Sequence, residues 1–467
     1  MTRRSRTCSL ASLAWTLVVA GGCAAPAPSG GELRRRALHD ASARTGVEVA
    51  PDALGAAAAH ALAAAPLTDA NAVRLAVLAN PSVRASLARL GVTRADLVQA
   101  GLVSNPVFAV DALDVSGRPE LEFALAQPFV DLFLRPLRTR VASAELAATE
   151  AAVARDLVHL AFEVRRALAE VRAADRLASL RRDALATATS ARELVERLHA
   201  AGNVTAPERT LVEDAELRAR LALLDAEAAA EEARETVAAL FGDSRPPPGF
   251  VVPDGSRDEL APLALDDVEA RAWRASLDGR EAEALLDAAV HGRSLAARRA
   301  GMRTFELGAV ARQDGPDAAF GVGPAVSFSV PIFDHGQADA ARADAVIAVR
   351  AAERDALRLR VESAARRLRG RARATGERAA LLRDRYLPLR ARFVRETLQR
   401  YEAMQLGAFD ALTAKRHELD AQQEYVATLR AAWLARLDLE ELLAGSLADA
   451  TPPTPAGTRA SPSQEGD

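Results

Sequence analysis

The chain has 467 residues, 49% of them hydrophobic but only 4% aromatic, and a formal net charge of −3. That near-neutral balance argues against a nucleic-acid partner. Seven scattered histidines without ligand spacing, and only two cysteines, argue against a metal site or a disulfide framework. The apolar content is mostly Ala, Leu and Val, which suits slim helix interfaces.

Residues 1–22 read as a lipoprotein signal peptide: basic Met1 to Arg6, an apolar run from Leu10 to Ala20, then small residues before Cys23. The run is too short to span a bilayer. The segment Val19-Ala20-Gly21-Gly22-Cys23 resembles a bacterial lipobox, although Ala20 stands where Leu is usual. The resemblance implies cleavage before Cys23, acylation of its thiol by chains such as palmitate, and, with Ala24 rather than Asp following, sorting to the outer membrane. Removal of Arg3, Arg4 and Arg6 takes the net charge from −3 to −6. Residues 23–66, rich in Ala, Pro and Gly around Arg34-Arg35-Arg36, read as an acylated linker on the protein surface.

Thr68 is placed to cap a helix starting at Asp69, which Asn80-Pro81 breaks and restarts. Helical spacing returns from Ser82 to Gly101. Val107–Val115 and Leu121–Val130 then have the length of transmembrane β-strands, with a turn at Gly117 and Pro119. In the second, Leu121, Phe123 and Leu125 alternate with Glu122, Ala124 and Ala126. From Leu137 to Ala201, 65 residues contain no Gly or Pro. Val153, Leu157, Leu160, Val164, Leu168 and Val171 place a stripe along one side of this helix. It runs to a tip at Gly202, Asn203 and Pro207, where a returning helix begins.

The pattern then repeats. Pro128 and Pro331, Gly202 and Met404, and Gly242 and Gly445 stand 202 or 203 residues apart, the mark of an internal duplication. Residues 67–242 form the first repeat, 243–262 with Pro246-Pro247-Pro248 a connector, 263–445 the second repeat, and 446–467 a disordered tail. In the second repeat, strands are expected at Thr304–Gln313 and Ala325–Val330, with a turn at Asp314-Gly315-Pro316. Val326, Phe328 and Val330 face one way and Ser327 and Ser329 the other. A second long helix runs from Gln337 to a tip at Met404–Ala408 containing Gly407. The fold class is therefore mainly α with a small β part: duplicated long helical hairpins and four membrane strands.

The order helix, strand hairpin, long helix, tip, returning helix, twice over, resembles the TolC family of outer-membrane efflux channels. The likeness is carried by "LTDANAVRLAVLANP" from Leu67, "QAGLVSNPVF" from Gln99, "FSVPIFDHGQADAARA" from Phe328 and "RYEAMQLGAFDALTAKRHELDAQQ" from Arg400. It covers Leu67 to Gly445. The resemblance implies a homotrimer whose helices form an α-barrel across the periplasm, docked to a periplasmic adaptor and an inner-membrane pump. Four strands cannot close a barrel, whereas three copies supply twelve. Glu122, Ser327 and Ser329 would line the lumen, with the opposite face in outer-membrane lipid. The resemblance also implies that Tyr401 and Asp410 at the second tip constrict the channel. Leu406 and Thr413 depart from the family's pattern there, and Asp410 alternatively caps the returning helix.

A periplasmic adaptor or coiled-coil scaffold lipoprotein is the alternative, but two hairpins, each behind a strand pair, favour the channel. Phe241-Gly242-Asp243-Ser244 resembles a lipase nucleophile block, yet it ends a helix and lacks its late Asp-x-x-His, so no enzyme is expected. Gly321-Val322-Gly323-Pro324 lies in a strand region and lacks the further glycine of a phosphate loop. No cofactor is expected beyond the lipid on Cys23.

Overall fold

The computed structural model describes residues 27–49, 68–115, 118–242, 266–301, 304–314 and 318–447. The signal peptide, Cys23, much of the 23–66 segment, the Pro-rich connector, both hairpin turns and the tail beyond 447 lie outside them. Among the described residues the order is α1 (Gly30–Thr45), α2 (Asp69–Ala79), α3 (Pro81–Ala100), β1 (Val107–Val115), β2 (Arg118–Pro128), α4 (Val130–Ala200) and α5 (Ala206–Leu240). The second half repeats it with α6 (Val268–Ala275), α7 (Leu277–Gly301), β3 (Phe305–Asp314), β4 (Gly321–Phe328), α8 (Gln337–Leu381), a π-helical turn (Leu382–Tyr386), α9 (Leu387–Glu402) and α10 (Ala408–Ala444). No described helix is long and apolar enough to cross a membrane.

Each boundary has a local cause. The Thr68 hydroxyl accepts from the Asn71 N–H at 3.2 Å and starts α2. Asn80 ends α2 and opens α3, its Oδ1 accepting from the Ser82 N–H at 2.8 Å, with Pro81 at the first helical position. Helix α4 begins seven residues earlier than the Gly- and Pro-free stretch predicts, and contains Pro136. A proline so near the start forfeits a single backbone bond, so the helix absorbs it. Its 71 residues reach about 107 Å at 1.5 Å each. The second long helix is interrupted at Pro388. The Leu387 N–H reaches back five residues to the Leu382 carbonyl, and this wider turn accommodates the ring.

The four strands form one antiparallel sheet in the order β1-β2-β3-β4. Strand β1 has the predicted bounds, and β3 is one residue later at each end. Strand β2 starts and ends earlier than Leu121–Val130, taking in Pro119. Strand β4 starts at Gly321 and stops at Phe328, so Ser329 and Val330 fall beyond it. Below the sheet the helices form a wall. At the level of the short helices, α4 packs against α3 on one side and α7 on the other, and α7 also meets α8. Lower down the order across the wall is α5, α4, α10, then the π turn and α9.

The largest buried cluster surrounds α4 of the first repeat. Val153, Leu157, Val158, Leu168 and Val171 of α4 are buried among Val73 and Val77 of α2, Leu87 and Leu90 of α3, Val237 of α5 and Leu277 of α7. Each such aliphatic side chain contributes about 1.5–3 kcal/mol by leaving water. The reading of residues 23–66 as a surface linker is overturned for residues 30–45. Helix α1 inserts Leu33, Ala37, Leu38 and Ala41 into this same core, spaced at three and four residues on one face.

Helix α1 also joins the halves. Arg44 Nη1 donates to the Ala275 and Ala444 carbonyls, each at 2.7 Å, and so satisfies the C-terminal ends of α6 and α10 together. Gly445 follows at φ +105°, where a Cβ would lie 2.2 Å from the Ala275 oxygen. Only glycine fits that backbone crossing. Gly242 ends α5 in the same left-handed way at φ +71°, which bears out its pairing with Gly445.

Candidate functional site

The register gives the sheet two unlike faces. Glu122 pairs with Asp111 on β1 and with Arg312 on β3, and Glu306 pairs with Ser327 on β4. Directly opposed residues share a face, and the side-chain period is two. One face therefore carries Asp111, Glu120, Glu122, Glu306, Arg312 and Ser327 among Ala and Gly, with Val107, Leu113 and Val310 as its larger apolar members. The other carries Phe108, Val110, Leu121, Phe123, Leu125, Phe305, Leu307, Val322, Val326 and Phe328. The rings of Phe108 and Phe123 stack at 6.3 Å across the β1–β2 pair. Val322, Val326 and Phe328 are 75%, 59% and 65% exposed, so among the described residues nothing covers this part of the apolar face.

Glu122 and Ser327 thus lie on the polar face, opposite Phe328, as their alternation predicts. Ser329 does not belong to that face as a strand residue. It follows β4, where its N–H donates to the Thr304 carbonyl at 3.2 Å and its hydroxyl accepts from the Thr304 N–H at 3.2 Å. Asp111 and Arg312 were not singled out from sequence. Arg312 pairs with Glu120 at 2.7 Å across strands 192 residues apart, which alternation within one strand cannot reveal. Strands β1 and β4 each have one unpaired edge among the described residues.

The two tips have the same backbone design. Gly202 at φ +76° and Met404 at φ +57° both turn left-handed after a helix. The next amide closes the turn in each: Asn203 N–H donates to Leu198 O at 2.9 Å, and Gln405 N–H to Arg400 O at 2.8 Å. Positions 202 residues apart in the sequence thus share one turn geometry. Met404 holds a conformation that favours glycine and is 92% exposed, so no packing gain offsets its strain.

Each returning helix has its own start. Glu208 Oε2 accepts from the Thr205 N–H at 2.8 Å, a capping bond the sequence reading did not use. At the second tip, Asp410 Oδ2 accepts from the Gly407 N–H at 3.0 Å, so the capping role of Asp410 is seen directly. Tyr401 is in the last turn of α9, its carbonyl accepting from the Met404 N–H at 2.9 Å. Tyr401 and Asp410 therefore flank one tip. The tips touch: Leu412 packs on Val195, Val204 and Val212 of the first hairpin.

Midway, a buried polar cluster ties α4 to the end of α10. The Glu441 side chain is fully buried and lies against His159 Nδ1 at 2.7 Å, the Arg166 guanidinium and the Ser446 hydroxyl at 3.0 Å. The hydrogen bond to Glu441 raises the His159 imidazole above its ordinary value. For Glu441, burial acts to raise the carboxyl, but the His159 hydrogen bond and the Arg166 charge outweigh it and hold it low. Among the described residues no group of carboxylate, histidine or cysteine side chains has the arrangement of a metal site.

Neither a protein-family model nor a curated protein matches the sequence. Solved structures do match the fold. The outer membrane protein VceC from Vibrio cholerae superposes with a TM-score of 0.68 at 17% identity, over 82% of this chain and 100% of that one. The MtrE outer membrane channel of Neisseria gonorrhoeae, in its open state, gives 0.64 at 17% identity, over 80% and 88%. The Campylobacter jejuni CmeC outer membrane channel gives 0.62 at 10% identity, over 91% and 90%. With its duplicated helical hairpins, paired tips and single four-stranded sheet, the chain has the fold of the TolC-type outer-membrane channels.

Proposed function

We propose that the protein is the outer-membrane channel component of a tripartite efflux or type I secretion system, a passive duct through the outer membrane and periplasm. The observation that carries this is the sheet, with one apolar and one charged face and two open edges, set above helices about 100 Å long. Open edges in lipid leave backbone groups unpaired at several kcal/mol each. In the order β1-β2-β3-β4 the last strand runs antiparallel to the first, so β4 of one copy can pair with β1 of the next. Three copies then close a twelve-stranded barrel with Glu122, Arg312 and Ser327 toward water and Phe328 toward lipid. The energy source is an inner-membrane pump reached through a periplasmic adaptor at the tips, and no enzymatic activity is proposed.

Cys23 is the proposed lipid anchor. Helix α1 runs alongside α4, with Arg36 near Glu150 and Thr45 bonded to Arg165, so its N-terminus is directed toward the sheet end. Tyr401 and Asp410 at the second tip are the proposed constriction.

Purified full-length protein tests the reading. The expected result is a trimer by native mass spectrometry, steady conductance in planar bilayers, and an N-terminal peptide beginning at acylated Cys23. A monomer without conductance would refute the channel, and an unmodified Cys23 would refute the anchor alone.

A further inference from the structure

We infer that neighbouring copies are keyed together along their helical edges by charge, the outer stripe of α5 on one copy seating on the outer stripe of α8–α9 of the next. This rests on the trimer proposed above and deepens it by naming the surfaces that meet.

The order across the lower wall leaves α5 at one edge and α9 at the other. Helix α5 packs on α4 through Val212, Ala226, Ala230 and Val237. At 100° per residue, the side directly opposite carries Glu213, Leu217, Leu221, Leu224, Glu231 and Glu235. Leu217, Leu221 and Leu224 are 55%, 62% and 57% exposed, a stripe of large apolar side chains with nothing on it among the described residues. On the other edge, Ala379, Leu382, Val394 and Thr397 are the buried side of α8–α9. Facing away from them are Arg373, Leu381, Arg385, Leu389 and Arg392, with Leu381 and Leu389 60% and 50% exposed.

The charges of the two edges are opposite. Residues 206–240 hold nine acids and four arginines, a balance of −5. Residues 368–402, at the same distance from the tip, hold ten arginines and four acids, a balance of +6. The heights also agree. Counting residues from the tips, Glu235 stands level with Arg373 and Glu213 with Arg395, while Glu231 stands level with Glu377 and Leu221 with Leu387. Acids of one edge therefore meet arginines of the other at two heights, on either side of the exposed leucines, with Arg373 also held to Glu377 of its own helix at 2.8 Å.

This complementarity selects a second copy over another partner, because the surface that fits each edge is the opposite edge of the same chain at the same height. A heterologous contact of this kind builds a ring when its rotation closes, as the closed barrel of the proposed trimer requires. It also disfavours the wrong pairings, α5 with α5 or α9 with α9, which would set like charges together.

Full-length protein in mild detergent tests the seam. The double variant Leu221→Cys with Leu389→Cys, treated with a short bismaleimide, is expected to give covalent trimers that neither single variant gives. Glu235→Arg and Arg373→Glu are each expected to lower the trimer fraction by about twofold to fivefold, the range for an exposed ion pair, and the combined swap to restore it. High salt should reduce wild-type trimer in the same direction. A trimer that conducts normally, does not cross-link and ignores both reversals would overturn the seam while leaving the channel intact. Absence of any wild-type trimer would overturn the trimer reading and the seam with it.

Discussion

Replacing Glu441 by leucine removes the fully buried carboxylate that joins the end of α10 to His159 and Arg166 of α4. Breaking a buried pair by deleting one partner costs about 3–5 kcal/mol, because the other charge stays desolvated. Here Arg166 keeps Asp438 at 3.5 Å and is 20% exposed, and His159 can become neutral. The lower end applies, about 3 kcal/mol. The two titrations define a pH window. Glu441 is held below its ordinary 4.5, so its contribution is complete above 4.5 and is lost as pH falls through the lowered value. His159 is raised above its ordinary 6.5, so its contribution is complete below 6.5 and is lost as pH rises through the raised value. The staple is strongest between 4.5 and 6.5. Thermal unfolding of the full-length protein across pH 4 to 9 reads this directly, with Glu441→Leu lowering the melting temperature most inside the window and flattening the profile. An unchanged profile in Glu441→Leu would refute the staple.

Three further outcomes are expected. Phe328→Arg, on the apolar face, should lower barrel stability by about 2–4 kcal/mol near the membrane midplane, measured by urea unfolding in lipid, whereas Ser327→Arg on the opposite face should assemble normally and change single-channel conductance. Arg44→Met strips two helix-end carbonyls of a charged donor, at about 1.5–3 kcal/mol for a charge-assisted bond, and should lower the melting temperature of the folded protein. Asp410→Ala should destabilise the second tip by about 0.3–1 kcal/mol. If Asp410 also constricts the channel, the change should raise conductance and abolish block by trivalent cations, and unchanged recordings would leave it as a cap alone.

The sequence by itself determined the elements whose causes are local. Length, turn residues and the repeat marked the four strands to within four residues, and alternation in the second and fourth put Glu122 and Ser327 opposite Phe328, because the side-chain period of two needs no partner to be read. Landmarks at constant offset disclosed the repeat, and the left-handed turns at Gly202 and Met404 bear that out in geometry. Helix α1 was legible in the spacing of Leu33, Ala37, Leu38 and Ala41, but a composition rich in Ala, Pro and Gly pointed to a linker. Only the buried surface of α2 and α4 decides that this weakly amphipathic segment folds, since a short helix depends on tertiary packing more than on propensity. The end of β4 at Phe328 was likewise decided across the sheet, because the Thr304 N–H goes to the Ser329 hydroxyl instead of to the Ser329 carbonyl that a continued ladder would use. Arg44 bridges residues 231 and 400 positions away, and His159 meets Glu441 across 282. No sequence period encodes such contacts, because they exist only once two repeats have been laid side by side. The charge of α5 and of α8–α9 could be counted from the letters, but that these two helices form the opposite edges of the wall is a fact of packing alone.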